Sequence, residues 1–329
     1  MAKGCADRVA CPHAMAWPNN NEVTQLPSQP VERLGDVLAE VRRVEVRAAR
    51  MLTDVLSGGY RSTFRGMGVE FSDVREYVEG DDPRSVDWNV TARLGRPFVK
   101  RFVEERERTL VFVLDLAPSL DHGLGAWSPR QAIARYCAML CLMAIDNHDR
   151  VGLVARTNNG PRYVVPQSGG GHVLRIARDC VELPTADGDL SELLDTVNAR
   201  VRRRAVVFVL SDFLTKGFEH SLRLSSRHHD VVAVRMLARE LFDPPSRLMR
   251  ARLPGTGNES VQLCDFANQK FRAAWLHNVQ LWHDQHAELL GRSRVDGVDV
   301  EMPQQPDIKQ LAQPLLGFFR RRQMREAGR

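Results

Sequence analysis

Two short apolar runs constrain the fold of this chain more than any other feature of its sequence. Thr109–Leu114 reads TLVFVL and Ala205–Leu210 reads AVVFVL, so both runs are rich in β-branched residues. Continuous apolar runs of this length are typical of strands that are buried on both faces, and such strands occur in parallel sheets covered by helices. The two runs therefore predict an α/β protein with a central parallel sheet.

The pattern around these runs predicts the remaining elements of residues 108–329. Apolar residues at helical spacing predict helices at about 129–147, 171–183, 189–203, 266–291 and 307–323, the last containing Pro314. Extended patterns predict further strands at 150–156, 162–165, 230–237 and 298–302. Strands that alternate with helices imply a doubly wound, mostly parallel sheet with helices on both faces.

The first 107 residues have a different character. Residues 1–30 are rich in Asn, Gln, Pro and Ser and predict a flexible tail. Residues 31–107 begin with an amphipathic helix, whose apolar positions run from Leu34 to Val55 before Gly58 and Gly59. Residues 60–103 mix charged and aromatic residues, which predicts a small β-rich segment of short strands, with a turn at 80–83.

Composition and charge argue against two classes of function. The net charge of +5 comes from basic residues that are scattered among acidic ones, and a nucleic-acid-binding protein more often carries a concentrated basic stripe. No apolar run reaches the roughly 18 residues that span a bilayer. The first residues lack the continuous apolar segment of a signal peptide. We therefore expect a cytoplasmic protein that neither binds nucleic acid nor spans a membrane.

Carboxylates follow both of the defining strands. Thr109–Leu114 leads into Asp115, with Ser119 four residues later, and Ala205–Leu210 leads into Ser211 and Asp212. If the two strands are neighbours, both aspartates lie at the carboxyl edge of the sheet, where ligands bind in open α/β folds. Paired carboxylates with adjacent hydroxyls are oxygen ligands that suit Mg²⁺ or Ca²⁺.

This arrangement resembles the metal-ion-dependent adhesion site of von Willebrand factor A domains. Those sites follow the pattern Asp-x-Ser-x-Ser after one apolar strand and Asp after a later one, and the resemblance implies a divalent cation that a partner's acidic residue helps to bind. Asp115, Ser119 and Asp212 occupy motif positions, but Ala117 replaces the first serine. The loop 167–172, read as the one that supplies a threonine in the family, contains none. The resemblance therefore implies a degenerate site that binds Mg²⁺ or another divalent cation weakly.

A second resemblance is carried by the segment before that domain. The residues that carry it are Gly66, Gly68, Glu70, Phe71, Arg75, Glu76, Tyr77, Gly80, Asp81, Asp82, Arg84, Val86, Asp87, Trp88, Ala92 and Arg93. Their spacing resembles the signature of the domain-of-unknown-function 58 family over about residues 33–323, although Tyr60 stands where many members have a histidine. Members carry a von Willebrand A-like domain and often accompany MoxR-type AAA+ ATPases. The resemblance thus implies a non-enzymatic adaptor that acts with such an ATPase in maturing, remodelling or inserting metal into a client.

The signature segment supports two interpretations. Its alternating charges predict internal ion pairs and turn-stabilising hydrogen bonds, with Tyr77 and Trp88 as partly buried anchors. Its arginines and aromatic residues are also the types that dominate protein interfaces, which predicts a docking surface. The candidate residues for either role are Arg75, Tyr77, Asp81, Asp82, Arg84, Asp87, Trp88 and Arg93.

A metal-dependent hydrolase that uses Asp115 and Asp212 is the alternative function. Ser119, His172 and Asp212 could also be written as a catalytic triad, but Ser119 lacks the Gly-x-Ser-x-Gly context of a nucleophile elbow. The glycines at 169–171 lack the lysine of a phosphate-binding loop. The sequence therefore assigns no catalytic residue, and we expect a protein that is not an enzyme.

Overall fold

The structure is a computed structural model, and it describes residues 32–40, 69–78, 80–104, 108–252 and 261–327. The predicted tail at 1–30 and the greater part of the predicted amphipathic helix lie outside these residues. The helix is seen as α1 over residues 34–40. There Val37 is 1% exposed and packs into the main hydrophobic core, which confirms that the apolar face of this segment is buried on the body of the protein.

The family-signature segment forms a hairpin with a helical connection. Strands β1 (Val69–Glu76) and β2 (Phe98–Glu104) are antiparallel, and helix α2 (Trp88–Leu94) lies between them in sequence. The prediction of short strands alone was therefore wrong for α2. The helix forms because the Asp87 carboxylate accepts hydrogen bonds from the first backbone N–H groups, and Gly95 ends it at φ +69°, a conformation that glycine adopts readily.

The rest of the chain alternates strands and helices around one sheet. The strands are β3 (Thr109–Leu114), β4 (Arg150–Ala155), β5 (Arg162–Gln167), β6 (Val206–Ser211), β7 (Asp230–Leu237), β8 (Leu248–Arg252), β9 (Val261–Asp265) and β10 (Asp296–Glu301). The helices are α3 (Pro129–Asp146), α4 (Gly170–Glu182), α5 (Leu190–Arg200), α6 (Glu219–His228), α7 (Gln269–Arg292) and α8 (Ile308–Ala327).

Six of these strands form the sheet in the order β10-β7-β6-β3-β4-β5. All neighbours are parallel except β5, which runs antiparallel to β4. Residues of β3 alternate between two cores: Leu110, Phe112 and Leu114 face α3, α4 and α8, whereas Val111 and Val113 face α5, α6 and α7. The predicted doubly wound, mostly parallel sheet with helices on both faces is thereby confirmed.

The region after β7 departs from the prediction in two places. The Pro-rich stretch contains β8, which pairs with β9 in an antiparallel ladder that the sequence patterns did not predict. The edge strand β10 begins at Asp296, two residues before the predicted start, because it pairs with β7 from there onward. Pro314 lies within α8, as predicted.

Candidate functional site

Three neighbouring parallel strands deliver charged residues to one edge of the sheet. Strand β3 lies between β6 and β4, with Leu114 opposite both Leu210 and Ala155. Asp115 directly follows β3, Arg156 follows β4, and Ser211 and Asp212 come at the end of β6. The predicted convergence of Asp115 and Asp212 is thus what the structure shows, and Arg156 joins them.

Asp115 is fully buried, and both of its carboxylate oxygens have partners. Oδ1 accepts a hydrogen bond from Nη2 of Arg156, with which it forms a buried ion pair. Oδ2 accepts a hydrogen bond of 2.6 Å from the hydroxyl of Ser211. Burial raises the pKa of Asp115, and the charge of Arg156 opposes that rise. The side chain is therefore committed to contacts within the protein.

Arg156 is only 4% exposed and reaches Asp115 past the loop between α4 and α5. Gly188 in this loop has φ +150°, and a Cβ atom there would lie 3.3 Å from Nη1 of Arg156. A larger residue at position 188 would therefore crowd the guanidinium. Nε of Arg156 has no hydrogen-bond partner among the described residues, so the charge is paired but the group is not fully hydrogen-bonded.

Ser119 and Asp212 form the second half of the site. The Ser119 hydroxyl donates a hydrogen bond of 2.5 Å to Oδ2 of Asp212, and the backbone N–H of Leu214 donates to Oδ1 at 3.1 Å. Burial, and next the negative charge of Asp115, raise the pKa of Asp212 from 3.8 to about 6. Phe213 adopts φ +54°, and its N–H donates to the Ser211 hydroxyl. This backbone turn directs Asp212 towards Ser119.

The side chains at this edge, as arranged, do not fit a divalent cation. A guanidinium already provides the positive charge beside Asp115, and each oxygen of Asp115 and Asp212 accepts a hydrogen bond. Within the described ranges, no group of three or more His, Cys, Asp or Glu residues could hold a metal ion. The sequence implies weak binding of Mg²⁺ or a similar ion, whereas this arrangement leads us to expect none, and titration decides between the two.

The loop 167–172 lies at the other end of the sheet. Gln167 pairs with Val151 near the start of β4, and Nε2 of His172 lies 2.9 Å from the carbonyl oxygen of Val151. The assignment of this loop to the site was wrong, because β5 runs antiparallel and carries its end away from Asp115. The triad Ser119–His172–Asp212 is therefore not assembled.

The α4–α5 connection is the loop that lies at the site. The N–H of Ala186 donates to the carbonyl oxygen of Leu116 at 2.9 Å, and the Thr185 hydroxyl donates to Oδ2 of Asp121 at 2.8 Å. A threonine is thus present near this edge, although it bonds to Asp121.

Arg156 is the residue that the sequence analysis missed. The signal for it was available, because a strand was predicted to run through Arg156 parallel to the one before Asp115. The rule that brought Asp115 and Asp212 to one edge applies equally to that strand.

The connection between β1 and β2 is held by its own charged residues. The guanidinium of Arg75 donates two hydrogen bonds to the Asp81 carboxylate, at 2.8 and 2.6 Å. These bonds lower the pKa of Asp81. The Tyr77 hydroxyl donates to the carbonyl oxygen of Asp81 at 3.1 Å, and Asp82 accepts from the N–H of Arg84. The predicted internal bracing is therefore present for most of this segment.

Three large apolar side chains on the same connection face solvent. Val78, Trp88 and Leu94 are 61%, 71% and 58% exposed. The expectation that Trp88 is a partly buried anchor was wrong, because the residue begins α2, a helix with no buried residue among those that the structure describes. Tyr77 is half-buried, as predicted, whereas Arg84 and Arg93 are exposed. We call residues 75–94 the docking segment below, after the role that the sequence predicts for them.

Curated proteins of mycobacteria are similar to this chain. The chain is 29% identical to the uncharacterized protein Rv1480 of Mycobacterium tuberculosis over 229 residues, which cover 68% of this chain and 69% of the relative. The uncharacterized protein Mb1516 of Mycobacterium bovis matches equally well.

Solved structures show weaker likeness. The von Willebrand A domain of SpRpn10 matches 64% of this chain and 94% of its own, at 12% identity and a TM-score of 0.33. Proximal thread matrix protein 1 from the mussel byssus matches 40% of this chain and 38% of its own, at 12% identity and a TM-score of 0.31. These scores are too low to support any statement about function.

The family match covers most of the region described above. Residues 73–282 match the family described as "Protein of unknown function DUF58". This range contains the docking segment, Asp115, Arg156 and Asp212, and it lies within the range over which the signature resemblance was drawn. The chain therefore belongs to the DUF58 family.

Proposed function

We propose that this protein is a non-enzymatic adaptor that binds partner proteins through the docking segment. The observation that carries the proposal is the exposure of Val78, Trp88 and Leu94 on a connection that Arg75 and Asp81 hold in place. Exposed apolar side chains of this size mark interaction sites when they gather on one feature, and Trp is enriched among the residues that dominate binding energy.

The bracing of the docking segment favours binding as well. Asp81 ties Arg75 and the N–H of Val78, while Asp87 caps α2 directly before Trp88. Because these bonds fix the backbone before a partner arrives, less conformational entropy is lost on association. The arrangement therefore suits a preformed surface.

The partner we propose is a MoxR-type AAA+ ATPase, acting with this chain on a client in maturation, remodelling or metal insertion. This choice rests on the resemblance of residues 66–93 to the family signature. The docking segment lies in that same signature, so its exposed apolar residues are the natural candidates for the ATPase contact. The whole docking segment is thus assigned to this partner.

The hydrogen bonds of Asp115 and Asp212 support the proposal that the protein is not an enzyme. A metal-dependent hydrolase needs carboxylate oxygens that are free to bind a cation, whereas Asp115 is bonded to Arg156 and Ser211. Asp212 in turn accepts from Ser119 and Leu214. We therefore assign these carboxylates to holding the sheet edge in one conformation.

The test measures affinity of the full chain for a MoxR-type ATPase from the same organism by biolayer interferometry. Trp88→Ser should weaken binding by at least about tenfold, because it removes a large apolar contact. Leu281→Ser removes a residue of α7 that is 45% exposed, and this control should leave the affinity unchanged. If the wild type and Trp88→Ser bind with equal affinity, and circular dichroism shows that both are folded, the docking segment is not the binding site.

A further inference from the structure

A cavity at the open edge of the sheet is lined by an unusual concentration of arginines. It has a volume of about 590 Å³ and lies among β10, the end of α7 and the last turns of α8. Strands β6 and β7 separate it from Asp115 at the site described above. The arginines that line it are Arg235, Arg294, Arg321, Arg322 and Arg325.

Carboxylates in the lining balance only part of this charge. Asp299 binds Arg235 through two bonds of 2.5 Å, and Asp296 lies 3.3 Å from Arg322 and 3.5 Å from Arg325. Asp230, outside the lining, also binds Arg322 through two bonds of 2.6 Å. Five arginines thus face three aspartates, an excess of two positive charges. The lining therefore carries a strongly positive potential, which a concave wall of low dielectric constant focuses.

Two of the five arginines are available to a ligand from outside. Arg294 and Arg321 are exposed, and neither forms an ion pair within the part of the chain that the structure describes. Arg321 lies on α8, and Arg294 lies in the turn between α7 and β10 at φ +55°. They approach the cavity from different elements, so a ligand between them is held on two sides.

Arg235 adds a fixed positive charge to the wall of the cavity. It is 3% exposed, and Asp299 holds its guanidinium through Nε and Nη2. Its Nη1 atom is buried, so the two exposed arginines, Arg294 and Arg321, provide the contacts that a ligand can reach.

We propose that this cavity binds the phosphate group of a small organic phosphate monoester. A phosphate monoester carries about two negative charges and three acceptor oxygens, which matches the two exposed guanidinium groups of Arg294 and Arg321 and the excess of two positive charges. A single carboxylate would compensate only half of that excess. Leu290 and Phe318 in the lining provide apolar surface for the organic part of the ligand. This site is independent of the docking segment.

The test is isothermal titration calorimetry of the full chain with phenyl phosphate at constant ionic strength. The wild type should bind, and the double variant Arg294→Gln, Arg321→Gln should bind at least about tenfold more weakly because two charge-assisted contacts are lost. Arg320→Gln is the matched control. It removes the same charge from the neighbouring exposed position of α8, outside the lining, and should change the affinity by less than about twofold.

Three outcomes would overturn the proposal. The first is the absence of binding by the folded wild type. The second is a loss of affinity in Arg320→Gln as large as that in the double variant, which would mean that the positive charge of α8 as a whole attracts the ligand. The third is equal affinity for benzoate, which carries the same ring and a single negative charge.

Discussion

Arg156 and Asp115 form an ion pair that is almost completely removed from water, with exposed fractions of 4% and 0% for the two side chains. In such a pair the cost of desolvating each charge is large, and their mutual attraction offsets it only while both partners remain. Arg162 and Asp179 also form an ion pair, at 2.7 Å, but the Arg162 side chain is 39% exposed. Comparison of the two pairs therefore shows how much of an ion pair's contribution to stability depends on burial.

Removal of the buried arginine should be strongly destabilising. Arg156→Met leaves the Asp115 carboxyl buried without its cation, so that it must either remain charged away from water or take up a proton, and we expect the free energy of unfolding to fall by about 3 to 5 kcal/mol. Arg162→Met, at the exposed pair, should cost no more than about 1 kcal/mol. Urea denaturation at neutral pH measures both. Similar losses in the two variants would show that the Arg156 pair contributes no more than a surface pair does.

At the scale of elements, the strands of the central sheet were the most predictable part of the fold. β3 and β6 are continuous apolar runs, and only burial on both faces accommodates them. Helix α2 was not predicted because WNVTARL contains β-branched residues and is stabilised by its cap at Asp87. The β8 strand was hidden in a Pro-rich stretch, since its pairing with β9 arises from contact between segments and not from a local pattern.

The candidate site was also predictable only in part, because strand order follows from the sequence pattern whereas side-chain partners depend on tertiary packing. The positions of Asp115 and Asp212 followed from strand order, because parallel strands end at one edge. Strand order equally places Arg156 at this edge, but it does not show that the Arg156 side chain is the partner of Asp115, which depends on tertiary packing beside Gly188. His172 likewise lies at the end of the sheet away from Asp115. This position follows only from the antiparallel direction of β5.

The junction between α6 and β7 contains a buried histidine that should make stability depend on pH. His229 is 4% exposed, and its Nδ1 atom has no partner among the described residues. Burial, with the nearby positive charges of His228 and Arg204, lowers its pKa from 6.5 to about 4. The unfolded chain therefore binds a proton more readily than the folded one between these pH values.

The free energy of unfolding should therefore decrease as the pH falls from 6.5 towards 4, because protonation of His229 favours the unfolded chain. Relative to His229→Leu, which cannot titrate, the wild type should lose about 2 kcal/mol over this range, with allowance for solvent screening. Denaturation at a series of pH values measures the difference between the two proteins. His220→Gln, an exposed change on α6, serves as the control. A constant difference from pH 7 to pH 4 would show that His229 is accessible to protons in the folded state.

At the scale of the whole molecule, the protein combines a doubly wound α/β domain with a hairpin that presents apolar residues to solvent. Among the helices that the structure describes, none has the length and apolar character needed to cross a membrane. The site at the sheet edge exists only in the assembled domain, because β3, β4 and β6 each contribute one part of it. Its central feature is that a side chain, Arg156, provides the positive charge beside Asp115.

The most direct test of this feature is calorimetric titration of the wild type with Mg²⁺, Mn²⁺ and Ca²⁺, beside Arg156→Ala and Arg156→Lys. We predict no binding at about 1 mM for the wild type or for Arg156→Lys, which keeps a cation at the site. Arg156→Ala frees Asp115 and should gain affinity together with a higher melting temperature in the presence of the ion. Binding by the wild type that disappears in Asp115→Asn would contradict the account, and would show that the edge of the sheet takes up a metal ion despite Arg156.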